Sequence, residues 1–235
     1  MGNTEESGGV VDPIVAVAAH MEAIAAPLPQ SDGVARFNEL YLAVTRAVAK
    51  DTGADTFEAP GFISRLDVVF ADLYFAAIDD SLAGRPIPKA WAPLFEQRHT
   101  KGIAPLQFAI AGMNAHINHD LALALVSTSR ELGFELERDT PQHRDYVVVD
   151  AVLQRVQDEI KTRFTTGIVK DVDKTFGRVD DMVANWSVGA ARDNAWTQAQ
   201  TLHALEGTPF LHRQFLLALG RNVGFAGRAL LTPTG

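Results

Sequence analysis

The chain has 235 residues, 47% of them hydrophobic, enough to bury the core of one full domain and too apolar for an intrinsically disordered chain. Its net charge of −8, with no cluster of Lys and Arg, excludes a nucleic-acid groove, because neutralising phosphates takes a basic stripe. The lack of cysteine excludes disulfides, thiolate zinc sites and a catalytic thiol, so any metal must be held by His and carboxylate.

Residues 1–9, MGNTEESGG, are acidic and rich in Gly and Ser and are expected to form a disordered tail. They contain neither the positive nor the apolar stretch of a secretory leader, so a cytoplasmic protein is expected. From residue 10 onward the apolar residues recur at helical spacing. Val11, Ile14, Val15, Ala18 and Met21 make a first stripe that stops before Pro27; Phe37, Leu40, Tyr41, Val44 and Val48 make a second. Pro60 opens a third, with Phe62, Leu66, Val69, Phe70, Leu73 and Tyr74. Residues 84–93 hold Pro86, Pro88 and Pro93 and predict a loop leading into a short helix.

Pro105 then stands at the first turn of a central helix, predicted over about residues 105–127 and expected to be the most buried in the chain. Thr140 and Pro141 read as an N-cap and first-turn pair for a long helix burying Tyr146, Val149, Leu153, Val156, Ile160 and Phe164. Beyond Gly167 the stripe resumes with Val172, Phe176, Val179, Val183 and Trp186 and is expected to continue past Gly189 towards Trp196 and Leu202. Thr208 and Pro209 repeat the cap signature for a last helix through Phe215, Leu216 and Leu219. No run of period two is found. The expectation is one all-α domain over residues 10–235, a multi-helix bundle around the buried central helix.

The central helix carries the chemistry. Asn114, His116, Asn118, His119 and Asp120 interrupt its apolar run, and polar groups buried there need partners. On an α-helix His116 and Asp120 lie about 40° apart, with His119 about 60° to the other side, so two imidazoles and a carboxylate share a face. That interruption also makes a membrane span too costly. A metal ion, a bound ligand or a buried hydrogen-bond network would each satisfy such a face. Imidazole and carboxylate suit zinc, iron or manganese, with further ligands to be drawn from His119, Asp67, His143, Asp145 or His99. Arg98 and His99 stand just before the helix and are candidates, with His116 and Asp120, for acid–base work and for the wall of a pocket that also includes Asp67. Gly112, one turn before His116, either leaves room beside the imidazole or lets a neighbouring helix approach. Gln107, Asn114 and Asn118 lie on the opposite face and are expected to bridge neighbouring helices.

The segments FNELYLAVT (residues 37–45), LDVVFADLYF (66–75), AWAPLFEQR (90–98) and IAPLQFAIAGMNAHINHDLALAL (103–125) resemble an uncharacterised bacterial family described only as a domain of unknown function. The resemblance implies no activity, and it puts the family's hallmark at His116 and Asp120. A local likeness to the zinc-dependent phospholipase C and single-strand nuclease superfamily is also present. His116 and Asp120 match the first two ligands of its core-helix motif and Leu125 its leucine. His119 replaces its glycine, Ala124 its proline and Val126 its last histidine, and the N-terminal tryptophan ligand is missing. What this likeness implies is at most a reduced one-metal or two-metal site.

Two function classes follow. One is a metal-dependent enzyme, hydrolase-like or with iron an oxygenase, in which the bundle holds a divalent ion. The other is a metal-free pocket for a small apolar molecule, with His116 and Asp120 as an acid–base or orienting pair. Both take a small-molecule partner; neither substrate nor oligomeric state is legible.

Overall fold

A computed structural model describes residues 13–51, 56–168 and 187–233. Its helices are α1 (Pro13–Ala25), α2 (Gly33–Asp51), α3 (Pro60–Leu82), α4 (Ala92–Gln97), α5 (Pro105–Ala115), α6 (Leu121–Leu132), α7 (Pro141–Ile168), α8 (Val188–Ala204) and α9 (Pro209–Leu230). Among the described residues there is no strand, so the fold is all-α. None of the described helices is long and apolar enough to cross a membrane.

The central rod is the predicted one, with a difference at its middle. Residues 105–132 run as one helical path, but His116–Asp120 form a π turn between α5 and α6. The Leu121 N–H bonds to the His116 carbonyl, five residues back. Such turns insert one extra residue into an α-helix and recur at functional sites, because they re-aim side chains and loosen the backbone ladder. Here the turn coincides with the polar stretch, while every side chain from Leu106 to Ala115 is buried. The rod ends at Gly133, whose φ of 69° is the left-handed conformation that glycine adopts without strain.

Around the rod, α2 packs along α5, α3 and α8 along α6, and α9 back across α5. The α2–α5 seam is close because each helix sets a glycine under the other's phenylalanine. A Cβ on Gly112 would lie 2.6 Å from Phe37 Cβ and nearer still to its ring; one on Gly33 would lie 2.8 Å from Phe108 Cε1. Gly112 therefore admits a neighbouring helix and leaves no room for a ligand at that point.

Helix starts follow their local chemistry. Thr140 Oγ1 accepts from the His143 N–H, as the Thr-Pro signature predicts. Thr208, with the same signature, caps nothing: its hydroxyl donates back to the Leu205 carbonyl, and α9 starts on Pro209 alone. The expected continuation past Gly189 is replaced by a fresh start, since Ser187 Oγ accepts from the Ala190 N–H and caps α8 at Val188. Residues 1–9, the stripe at Val172, Phe176, Val179, Val183 and Trp186, and the side chains of Val156, Ile160 and Phe164 lie outside the described residues.

Candidate functional site

Asp120 is the hub of the site. It is buried at 2% exposure, at the end of the π turn, and receives three hydrogen bonds. Trp91 Nε1–H donates to its Oδ2 at 2.8 Å. His116 Nδ1 lies 3.2 Å from the same oxygen, and His119 Nδ1 lies 2.7 Å from Oδ1. Burial pushes the Asp120 carboxyl up, but the hydrogen bonds from His116 and His119 outweigh it and hold it below the usual carboxylate range. An ionised carboxylate only accepts, so both histidines present Nδ1–H to it. That fixes the His116 tautomer and leaves Nε2 with a lone pair. Burial also pushes the His116 imidazole below its ordinary value, against the opposing pull of Asp120, which keeps the ring neutral.

The imidazole of His116 is clamped by aromatic rings. Phe70 of α3 stacks on its face, centroids 3.5 Å apart and planes 6° from parallel. Tyr41 of α2 meets it edge-on at 4.5 Å, and Phe37 and Trp91 close the far side at 5.8 and 5.9 Å. The ring cannot turn to seek another partner, and its Nε2 has no hydrogen-bond partner among the described residues. The buried hydroxyl of Tyr41 likewise has none. The contrast is Tyr74 beside it, whose hydroxyl donates to Asn38 Oδ1 while Asn38 donates to the Met21 carbonyl.

His116 and Tyr41 stand in the wall of a cavity of about 110 Å³, lined by α1, α2, α3, α5, α6, α7, α8 and the π turn. The wall is otherwise almost wholly apolar, with Leu40, Val44, Leu66, Ile110 and Met113 around it. Its remaining polar side chains are Thr45, Asp67 and Arg192. Thr45 Oγ1 turns to the Met21 sulfur, and Arg192 is held by Asp150 and by the Tyr146 carbonyl. Burial raises the Tyr41 hydroxyl well above its ordinary value, and the charges of Asp67 and Asp120 raise it further, so it keeps its proton.

The other candidates fall into two groups. Asp67 reaches the cavity wall and His119 reaches Asp120. Arg98, His99 and His143 do not join them. Arg98 makes a forked pair with buried Asp32, at 2.8 Å from Nε and 2.7 Å from the NH2 nitrogen, and exposed His99 lies 3.6 Å from the same carboxylate. Asp32 in turn accepts from the Val34 N–H, so this cluster fastens the α4–α5 loop to the start of α2. His143 packs edge-on against Trp196 at 4.8 Å and accepts from the Asp139 N–H. Asp145, the first-turn carboxylate, accepts from the Glu58 and Ala59 N–H groups at the start of α3. On the opposite face Gln107 donates to the Leu230 and Thr232 carbonyls and Asn114 to the Val223 carbonyl, tying α5 to α9.

Trp91, Tyr41 and Phe70 are the site residues that sequence reasoning missed. Trp91 is 29 residues from Asp120, and Tyr41 and Phe70 are ordinary members of apolar stripes. Only an indole with a donor to satisfy, in a chain whose most buried helix holds a carboxylate, hinted at the first.

Both histidines spend Nδ1 on Asp120, both Asp120 oxygens are taken, and Trp91 aims a proton where a cation would need the lone pair. Among the described residues no group of three or more His, Asp or Glu side chains is placed to hold a metal ion.

Similarity to known proteins adds a family and no activity. The family described as "Family of unknown function (DUF5995)" matches residues 14–233. The chain belongs to that family. No curated protein and no solved structure matches it. The family match takes in every element that builds the cavity, from Ile14 on α1 to Arg192 on α8.

Proposed function

We propose that the protein is a metal-free pocket for a small, largely apolar molecule, in which His116 orients the ligand and accepts a proton from it. The observation that carries this reading is the state of one ring. His116 Nδ1–H is fixed on Asp120, and Nε2 is buried and unpartnered among the described residues, on a side chain that lines an apolar cavity. A base held by a third group, with its other nitrogen unpaired on a ring that lines a cavity, is the arrangement of general-base sites. A proton taken from a bound X–H group would pass to Nε2, leaving the bonding pair on the ligand. The imidazolium so formed would be stabilised by the Asp120 carboxylate behind it, and such assistance contributes about 10²–10⁴ in rate. Phe70 and Tyr41 hold the ring still, and the apolar wall keeps water from competing.

The likeness to the zinc phospholipase C superfamily supplies two matching positions for a zinc, iron or manganese site at His116, Asp120, His119 and Asp67. The hydrogen bonds among the first three of these residues speak against it. The deciding experiment is metal analysis of untagged protein alongside mass spectrometry of an organic extract. The expected result is substoichiometric metal and a small organic molecule released on denaturation. One zinc, iron or manganese per chain, lost in the His116→Ala variant, would overturn the proposal.

A further inference from the structure

We infer that the ligand carries a hydroxyl on a ring of about benzene size, seated with that hydroxyl between His116 Nε2 and the Tyr41 hydroxyl. The inference rests on the pocket reading above and adds the ligand's chemistry.

The two groups are complementary. His116 presents an acceptor at Nε2, because its only N–H is on Asp120; Tyr41 presents a donor, because its hydroxyl stays protonated. Both are buried, both lack a partner among the described residues, and their rings meet at 4.5 Å. The group that fits must give a proton to one and a lone pair to the other. An ammonium has no lone pair to offer Tyr41. A carboxylate has no proton for Nε2 and meets the Asp67 carboxylate in the same wall. A hydroxyl has both. Arg192, the only cation lining the cavity among the described residues, is already paired with Asp150 and offers no separate anion site.

Size narrows the class. An engineered apolar cavity of about 150 Å³ holds benzene and stays dry otherwise. The present cavity of about 110 Å³ is close to that and suits a ligand whose buried part is about one ring.

The test compares phenol with toluene, which has the same ring and no hydroxyl, by titration of the purified full-length protein. Toluene is the more hydrophobic of the two, so a merely apolar cavity prefers it. The expected result is tighter binding of phenol, with the ¹⁵N signal of His116 Nε2 shifting on addition of phenol and not of toluene. In Tyr41→Phe the affinity for phenol should fall about tenfold while that for toluene changes less than about twofold. The wild-type ¹⁵N shift makes the test independent of how well the variant folds. If toluene binds at least as tightly and the nitrogen does not respond, the hydroxyl inference falls and the apolar pocket stands. If benzylamine or benzoate binds more tightly than phenol, the inference also falls. If Tyr41→Phe lowers stability without changing the phenol-to-toluene ratio, the two groups serve each other or a water, and it is overturned. If neither probe binds, the pocket reading falls with it.

Discussion

His116 is asked to stay neutral in a place where Asp120, 3.2 Å away, must stay charged. Both demands make the fold sensitive to acid, and their pH windows differ. The folded His116 titrates below its ordinary 6.5, so as pH falls through 6.5 the unfolded chain gains a proton that the native chain refuses, and stability drops. The folded Asp120 titrates below its ordinary 3.8; its contribution is complete above 3.8 and is lost as pH falls from there towards its native value. Urea unfolding followed by fluorescence should show stability falling below pH 6.5 and falling further below pH 3.8. His116→Gln should remove most of the first decline while lowering stability at pH 7 by about 1–3 kcal/mol, since Asp120 loses its matched donor. A variant with an unchanged slope between pH 6.5 and 5 would show that another group drives it. At this scale the His116–Asp120 pair was legible because four-residue spacing on a helix brings side chains together. The placement of Arg98 and His99 was not, because their partner, Asp32, reaches them only through the meeting of α2 with the α4–α5 loop.

At the scale of elements, the polar stretch survives inside an apolar rod because α2 and α5 approach closely enough to shield it. The reciprocal seating of Phe37 over Gly112 and Phe108 over Gly33 sets that approach. Gly112→Ala would drive a methyl into the Phe37 side chain, whose ring also flanks His116. Chemical denaturation should show a loss of about 1–3 kcal/mol, the usual range for overpacking, and the ring signals of His116 should move with it. Gly61 in the first turn of α3 is the control, since nothing lies within 4 Å of its added Cβ. Gly61→Ala should be neutral or stabilising by up to about 1 kcal/mol, through helix propensity and the unfolded chain. Equal effects at the two positions would remove the seam from the account. Helix positions were largely readable from apolar spacing and from Pro at first turns. The π turn was not, because one inserted residue leaves the apolar stripes on either side intact and shifts only their phase. Ser187 was passed over as a cap because the apolar spacing runs on across it.

For the molecule as a whole, helical class was written in the pattern, whereas the cavity is a property of assembly. Its wall draws residues from eight segments between Ile14 and Arg192, most of them unremarkable in their own stripes. An apolar void in a close-packed interior lacks dispersion partners on one side, so a molecule that fills it is gained by the native state alone. A ligand at 100 times its Kd adds about 2.7 kcal/mol to unfolding. For a chain of this length each kcal/mol raises the melting temperature by about 2–4 °C. Saturating phenol should therefore raise the midpoint of a thermal melt by about 5–10 °C. Prolonged dialysis against EDTA should leave the midpoint of the ligand-free protein where it was, because the bonds around Asp120 hold the centre of the fold without an ion. The same pair of melts in Tyr41→Phe should keep the EDTA result and shrink the phenol shift. A midpoint that falls on EDTA treatment and recovers on adding zinc, iron or manganese would transfer the stabilisation from the cavity to a metal.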